Sequence, residues 1–143
     1  MVKQMNKNWK DVVLGPQATV LEAMKVLDKF GTQVVIVADD NYTLLGIITD
    51  GDIRRGLLHG AGTGDSVVKV MNSNPITADE NVSAKEVLSI LQERNILHMA
   101  VKSKDGKIVG LYTLRDFFTK HEFENPVVLM AGGLGSRLGQ LTE

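Results

Sequence analysis

Apolar residues along this chain follow two alternating rhythms. Helical spacing appears at Ala23, Met24, Val26, Leu27 and Phe30, and again at Val87, Leu88, Ile90 and Leu91, which predicts two amphipathic helices with one-sided stripes. Each stripe is preceded by a hydroxyl residue with a glutamate three positions on, Thr19/Glu22 and Ser83/Glu86. In that spacing the hydroxyl accepts from the third helical amide while the carboxylate reaches back to the cap amide, so both pairs mark helix starts. The stripes stop at Gly31 and Asn95, residue types that tolerate a left-handed backbone at a helix end. Short β-branched runs follow, Gln33 to Ala38 and His98 to Lys102, each with a polar turn and a second apolar run, Leu44 to Thr49 and Ile108 to Thr113. These pairs predict hairpins, and each hairpin enters a further helix through Asp50-Gly51-Asp52 or Leu114-Arg115-Asp116. Short leading strands are expected at Val12-Val13-Leu14 and Pro75-Ile76-Thr77.

The doubling is a repeat at a fixed offset of 64 residues, without gaps: Thr19 matches Ser83, Leu27 matches Leu91, Val37 matches Val101, and Gly46, Thr49 and Asp52 match Gly110, Thr113 and Asp116. One helix-strand-strand-helix unit is too small to cover both faces of its sheet. Two copies packed sheet against sheet, helices outside, would do so, which predicts an α+β fold with an internal pseudo-two-fold axis. The first repeat is expected over about 9–62 and the second over about 67–121, together filling residues 1–122.

Composition narrows the function. Sixteen basic and seventeen acidic residues leave a net charge of -1, too little basic field to attract nucleic acid or an anionic membrane. The absence of cysteine excludes disulfides and thiolate chemistry, and three scattered histidines do not make a metal site. No signal-like apolar segment follows the polar first ten residues, and the longest apolar runs are too short to span a bilayer, so a cytoplasmic protein is expected.

The closing segments Gly46-Ile47-Ile48-Thr49-Asp50-Gly51-Asp52 and Gly110-Leu111-Tyr112-Thr113-Leu114-Arg115-Asp116, each behind a capped helix and a hairpin, resemble the G-h-x-T-x-x-D signature of the CBS domain family. The resemblance covers roughly residues 9 to 121. Met71 to Thr77, with Thr49 to Arg55, looks like the CBS pairs attached to sugar-phosphate enzymes. A proline common in the strand after the first helix is replaced by Ile36 and Ala100.

Chemically, a strand ending in Thr and turning into a helix sets a hydroxyl beside free helix amides, which favours phosphate. An Asp three residues on can accept from both hydroxyls of a ribose, and a cleft between sheets offers apolar walls to a purine. The resemblance implies a module that binds AMP, ADP, ATP or an S-adenosyl compound such as S-adenosylmethionine. Carried onto these residues, it has Thr113 and Asp116 holding phosphate and ribose in one site with Ile76, Thr77 and Met99 on the base, and Thr49 and Asp52 serving a second site. Arg115 and His98 make the Thr113 site the more phosphate-friendly, because their offset partners are Gly51 and Val34. Asp50 opposes a polyphosphate in the other site unless Arg54 or Arg55 folds back. The same Thr and Asp residues also suit plain helix capping, and Met99 suits the core. Association into a homodimer is implied by the resemblance alone.

Beyond Pro126 the character changes. Val127 to Ala131 is a buried-strand run feeding Gly132-Gly133-Leu134-Gly135-Ser136-Arg137-Leu138, a glycine-rich turn of the kind that wraps amides around phosphate. Residues 129–138 resemble the first loop of nucleoside-diphosphate-sugar pyrophosphorylases, with Gly132, Gly133, Gly135 and Arg137 as its nucleotide-contacting remnant. Residues 123–143 are accordingly expected to be a linker and the opening of such a domain. That family's chemistry uses Mg2+ and residues further along, so this polypeptide itself is expected to need no cofactor and not to catalyse. The function expected is a nucleotide-sensing regulator of a sugar-phosphate nucleotidyltransferase. Alternatives are a ligand-free assembly module of the same enzyme, or the regulatory pair of a sugar-phosphate isomerase.

Overall fold

A computed structural model describes Met5, Asn6 and residues 8–118 of the chain; the segment 123–143, with its glycine turn, lies outside the described residues. A short 3-10 turn, Trp9–Val12, leads into β1 (Val13–Leu14), α1 (Val20–Phe30), β2 (Val34–Ala38), β3 (Leu44–Thr49) and α2 (Asp50–Leu58). A second 3-10 turn, Val67–Lys69, precedes β4 (Thr77–Asp79), α3 (Ala84–Glu93), β5 (His98–Lys102), β6 (Ile108–Thr113) and α4 (Leu114–Phe118). The strands form two three-stranded sheets, β1-β2-β3 and β4-β5-β6, each with a parallel first pair and an antiparallel hairpin.

The 64-residue offset holds at the level of backbone pairing. Val34 faces Thr49 and His98 faces Thr113; the register slips between Val37 and Ala38 in one hairpin and between Val101 and Lys102 in the other. Both capping boxes form, with the Thr19 amide donating to Glu22 at 2.7 Å and the Ser83 amide to Glu86 at 3.1 Å. Gly31 and Asn95 both adopt positive φ, 59° and 51°, as helix-ending residues. The leading strands begin later than expected. Val12 belongs to the 3-10 turn, and β4 pairs Thr77, Ala78 and Asp79 with Ala100, Val101 and Lys102, leaving Pro75 and Ile76 outside the sheet. Proline has no amide to give to a ladder, so it marks the approach to this strand, not the strand itself.

Strand β2 is wholly buried because both of its faces are covered. Val35 and Val37 pack with Ala23 and Leu27 of α1 and Ile53 of α2. On the opposite face Val34, Ile36 and Ala38 join Ala100, Ile108 and Leu111 of the second sheet in one cluster, which is the contact between the repeats. The second repeat's own core gathers Met99 and Val101 with Val87, Leu91 and Phe117. Sheet thus packs on sheet with helices outside, the α+β arrangement that the hydrophobic pattern required. The hairpin turns also join: the Ile108 amide donates to the Tyr42 carbonyl at 2.8 Å and the Leu44 amide to that of Gly106 at 3.2 Å.

The glycine of each G-h-x-T-x-x-D segment has a packing reason. The inter-repeat linker lies along the outer edge of β3, where Ile47 and Asn72 exchange both backbone hydrogen bonds, at 3.0 and 2.8 Å. A β-carbon on Gly46 would stand 2.7 Å from the Asn72 carbonyl oxygen. The N-terminal segment does the same for the second sheet: the Asn6 amide donates to Leu111, and Met5 occupies the space beside Gly110.

Candidate functional site

Each T-x-x-D turn is a capping box in the folded chain. Thr49 donates to Asp52 Oδ2 through its amide and its hydroxyl, both at 2.8 Å, and the Asp52 amide returns a bond to Thr49 Oγ1 at 3.4 Å. In the second repeat the Thr113 amide donates to Asp116 Oδ2 at 3.0 Å, and the Asp116 amide to Thr113 Oγ1 at 3.3 Å. The capping role anticipated for these residues is therefore present. What separates them from Thr19/Glu22 and Ser83/Glu86 is location. Those two boxes lie on the exposed outer surface, whereas Thr49, Asp52 and Asp116 are half-buried and Thr113 is buried, at the mouths of two cavities between the repeats.

The first cavity, about 590 Å³, is bounded by residues 49–52, by Asn72, Asn74 and Ile76 of the linker, and by Ile96, Leu97 and His98 of the second repeat. The second, about 480 Å³, is bounded by residues 113–116 and by Phe30 to Gln33 of the first repeat, again with Leu97 and His98. Each cavity thus joins the turn of one repeat to the helix-to-strand loop of the other. Gln33, Leu97 and His98 border both and form the partition between them. Volumes near 500 Å³ with apolar walls and a few polar groups suit a small organic ligand.

His98 is a half-buried member of that partition. Burial pushes its imidazole below the ordinary value, and the Thr32 backbone offsets this only in part. Near pH 7 the ring is therefore neutral, a hydrogen-bonding group and not a cation. Gln33, with a φ of 62°, holds a left-handed backbone at the entrance to β2, a conformation that costs a non-glycine residue free energy and tends to collect at functional places.

The expected site residues divide differently from the expected grouping. Thr113, Asp116, Arg115 and His98 do share one cavity, and Thr49 and Asp52 open onto the other. Ile76 belongs with Thr49 and Asp52, because the linker carrying it runs along β3. Thr77 lies elsewhere, at a smaller hollow by the hairpin turns with Thr43 and Lys102. Met99 is fully buried and reaches no cavity: strand alternation sends it to the helix layer, while its neighbours His98 and Ala100 face the other way. Arg54 borders a groove between α1 and α2 with Met24, Leu27 and Leu57. It follows Asp52 by two positions, which is the opposite side of a helix. Arg55, three positions on, shares the face and binds Asp52 Oδ1 at 2.6 Å.

Residues that the motif did not point to are Gln33, Asn72, Asn74, Ile96 and Leu97. One signal was available for two of them, since positions 33 and 97 are offset partners directly ahead of equivalent strands. Asn72 and Asn74 lie in the Met71 to Thr77 stretch, but the resemblance carried by that stretch gave neither residue a place in the site. Among the described residues no cluster of His, Asp and Glu could hold a metal ion, and no helix is long and apolar enough to cross a membrane.

Known proteins place this architecture. Arabinose 5-phosphate isomerase GutQ of Salmonella typhi is 33% identical over 100 residues, 70% of this chain and 31% of that protein. Inosine-5'-monophosphate dehydrogenase of Halobacterium salinarum is 30% identical over 111 residues, 78% of this chain and 22% of the enzyme. The chain therefore spans between about a fifth and a third of the length of these curated relatives. Among solved structures, an uncharacterized conserved protein from Pyrococcus horikoshii superposes with a TM-score of 0.69 at 31% identity, covering 86% of this chain and 93% of its own. The CBS domain pair of protein MJ0100, solved with 5'-methylthioadenosine and S-adenosyl-L-methionine, superposes with a TM-score of 0.65 at 26% identity, covering 76% and 85%. The CBS domain family model matches residues 2–59 and 67–121, the two units that the offset, the strand register and the paired cavities define, and this chain belongs to the CBS domain family as a tandem pair.

Proposed function

We propose that this CBS pair is a regulatory module that binds adenosyl compounds in the two cavities between its repeats. The supporting observation is that each T-x-x-D turn, beyond capping its own helix, opens on a cavity whose far wall belongs to the other repeat. A ligand there touches both repeats and is sensitive to their relative placement, which is what a sensor requires. The MJ0100 pair, of the same fold, is solved with adenosyl ligands. In this reading Asp52 and Asp116 accept ribose hydroxyls, Ile76 and Ile96 wall the base in the first cavity, and Arg115 meets phosphate in the second.

A thermal-shift panel of AMP, ATP and S-adenosylmethionine tests the reading. A ligand at a hundred times its dissociation constant stabilises by about 2.7 kcal/mol. Asp52→Ala and Asp116→Ala each remove the response of one cavity while the unliganded protein still melts cooperatively. No shift with any of the three compounds leaves the pair a purely structural one.

The enzyme under control is the finer part of the proposal. Residues 129–138, outside the described residues, resemble a pyrophosphorylase loop and support a nucleotidyltransferase acting on a sugar 1-phosphate. The identity with GutQ supports a second reading, an arabinose 5-phosphate isomerase. Assaying the longer protein for pyrophosphate release from a nucleoside triphosphate and a sugar 1-phosphate, against aldose-ketose interconversion of a pentose phosphate, separates the two.

A further inference from the structure

The two cavities carry different charge, and the difference traces to single positions. We infer that the Thr49–Asp52 cavity takes an adenosyl ligand without phosphate, a neutral nucleoside or a sulfonium-bearing one, while phosphate monoesters are left to the Thr113–Asp116 cavity. The inference rests on both cavities being adenosyl sites.

In the first cavity Asp52 is already balanced. Arg55 binds its Oδ1 at 2.6 Å, and the guanidinium lies across Gly51, 3.1 Å from where a β-carbon there would stand. Asp50 borders the same cavity, is exposed at its mouth and forms no ion pair among the described residues. No Lys or Arg is among the described residues that line this cavity, and His98 is held neutral by burial. One negative charge thus stands uncompensated two residues from the carboxylate that would hold the ribose. A 5'-phosphate placed near it is repelled; a sulfonium is attracted. At half a nanometre and an effective dielectric between those of protein surface and water, one unit charge changes affinity by about tenfold.

The second cavity lacks this feature. Leu114 stands at the offset position of Asp50, so this turn carries one acidic residue, Asp116, where the first carries two, and Arg115 at the position of Gly51 lines the cavity itself. A fold in register over both repeats therefore presents two chemically distinct mouths.

Amide spectra of the 15N-labelled 143-residue chain resolve the cavities separately. Titrated with adenosine or S-adenosylmethionine, the Gly51 and Asp52 amides should shift at concentrations about tenfold lower than AMP requires, while Arg115 and Asp116 respond to AMP first. Asp50→Lys should raise the AMP-to-adenosine affinity ratio at the first cavity about tenfold or more, and Asp50→Asn should raise it less. AMP or ATP saturating Gly51 as readily as adenosine, or an unchanged ratio in Asp50→Lys, overturns the inference. Adenosyl compounds seen only at Arg115 and Asp116 overturn it while leaving the sensing function standing. Silence of both sets of amides removes that function and the inference together.

Discussion

The two repeats share the pairing register of their hairpins and differ in burial at the ends of the central strand. Strand β2 reads Val-Val-Ile-Val-Ala and is buried throughout, while β5 reads His-Met-Ala-Val-Lys and is buried only in its middle. The shared positions, Val35 and Val37 against Met99 and Val101, face the helices and hold each sheet to its own layer. The divergent ones, Val34 against His98 and Asp50 against Leu114, sit where the strands and turns meet the cavities. Positions facing the helices stay apolar in both halves because packing demands it, whereas Val34 packs between the sheets and its partner His98 borders the cavities, and Asp50 is exposed where Leu114 packs against its own core.

The largest effect is expected in the cluster that the two sheets share. Ile36→Ala in β2 and Leu111→Ala in β6 each empty a fully buried site at that contact. Either should cost about 2–5 kcal/mol. Chemical denaturation should show one cooperative transition in both variants; separate transitions would mean that the repeats fold independently.

A somewhat smaller effect distinguishes the two motif glycines. A methyl group on Gly46 collides with the backbone carbonyl of Asn72, a residue held to Ile47 by one hydrogen bond through that carbonyl and one through its amide. On Gly110 it meets the side chain of Met5, which can swing away. Gly46→Ala should therefore destabilise by about 1–3 kcal/mol, and Gly110→Ala by distinctly less. Equal melting temperatures would show that the linker does not grip β3 more firmly than the N-terminal segment grips β6.

Capping boxes offer a third contrast. Thr19→Ala and Thr49→Ala each remove a cap worth about 1 kcal/mol. If the pair binds adenosyl compounds as proposed, Thr49→Ala should also weaken that binding, since the Thr49 box opens on a cavity between the repeats while the Thr19 box is on the exposed surface.

The smallest effect is one of pH. His98 has its folded value lowered by burial, so the unfolded chain binds its proton more readily. Its contribution to stability is complete above the ordinary imidazole value of about 6.5 and is lost as pH falls from there through the lowered folded value. The capping carboxylates Glu22 and Glu86, lowered by their bonds to Thr19 and Ser83, act in a separate window: their contribution is present above about pH 4.3 and declines below it. His98→Val, which copies the first repeat's Val34, should flatten the stability profile between pH 7 and 5 and leave the acid limb in place. A variant still declining over that range would assign the slope to another group.

Much of this was legible residue by residue. The capping boxes, the helix-ending Gly31 and Asn95 and three of the four hairpin strands lie where the pattern put them, because each depends on interactions within a few residues or on a period that burial imposes. The grouping of Ile76, Thr77 and Met99 around Thr113 was not legible. Ile76 went to the other cavity with the linker's path along β3, Thr77 to the hairpin end, and Met99 to the core. Arg54 and Arg55 could be told apart only once the helix phase was anchored by Asp52.

From its residues alone the chain determined a twofold repeat, the order of its elements and the pairing of a threonine with an aspartate at two equivalent turns, all consequences of local spacing and of which side chains avoid water. Tertiary structure decided that two of four chemically similar caps border cavities, that His98 with Gln33 and Leu97 stands between those cavities, and that Arg55 closes over Gly51. These depend on where one repeat's loop meets the other's turn, a contact between residues far apart in the chain that no local rule encodes.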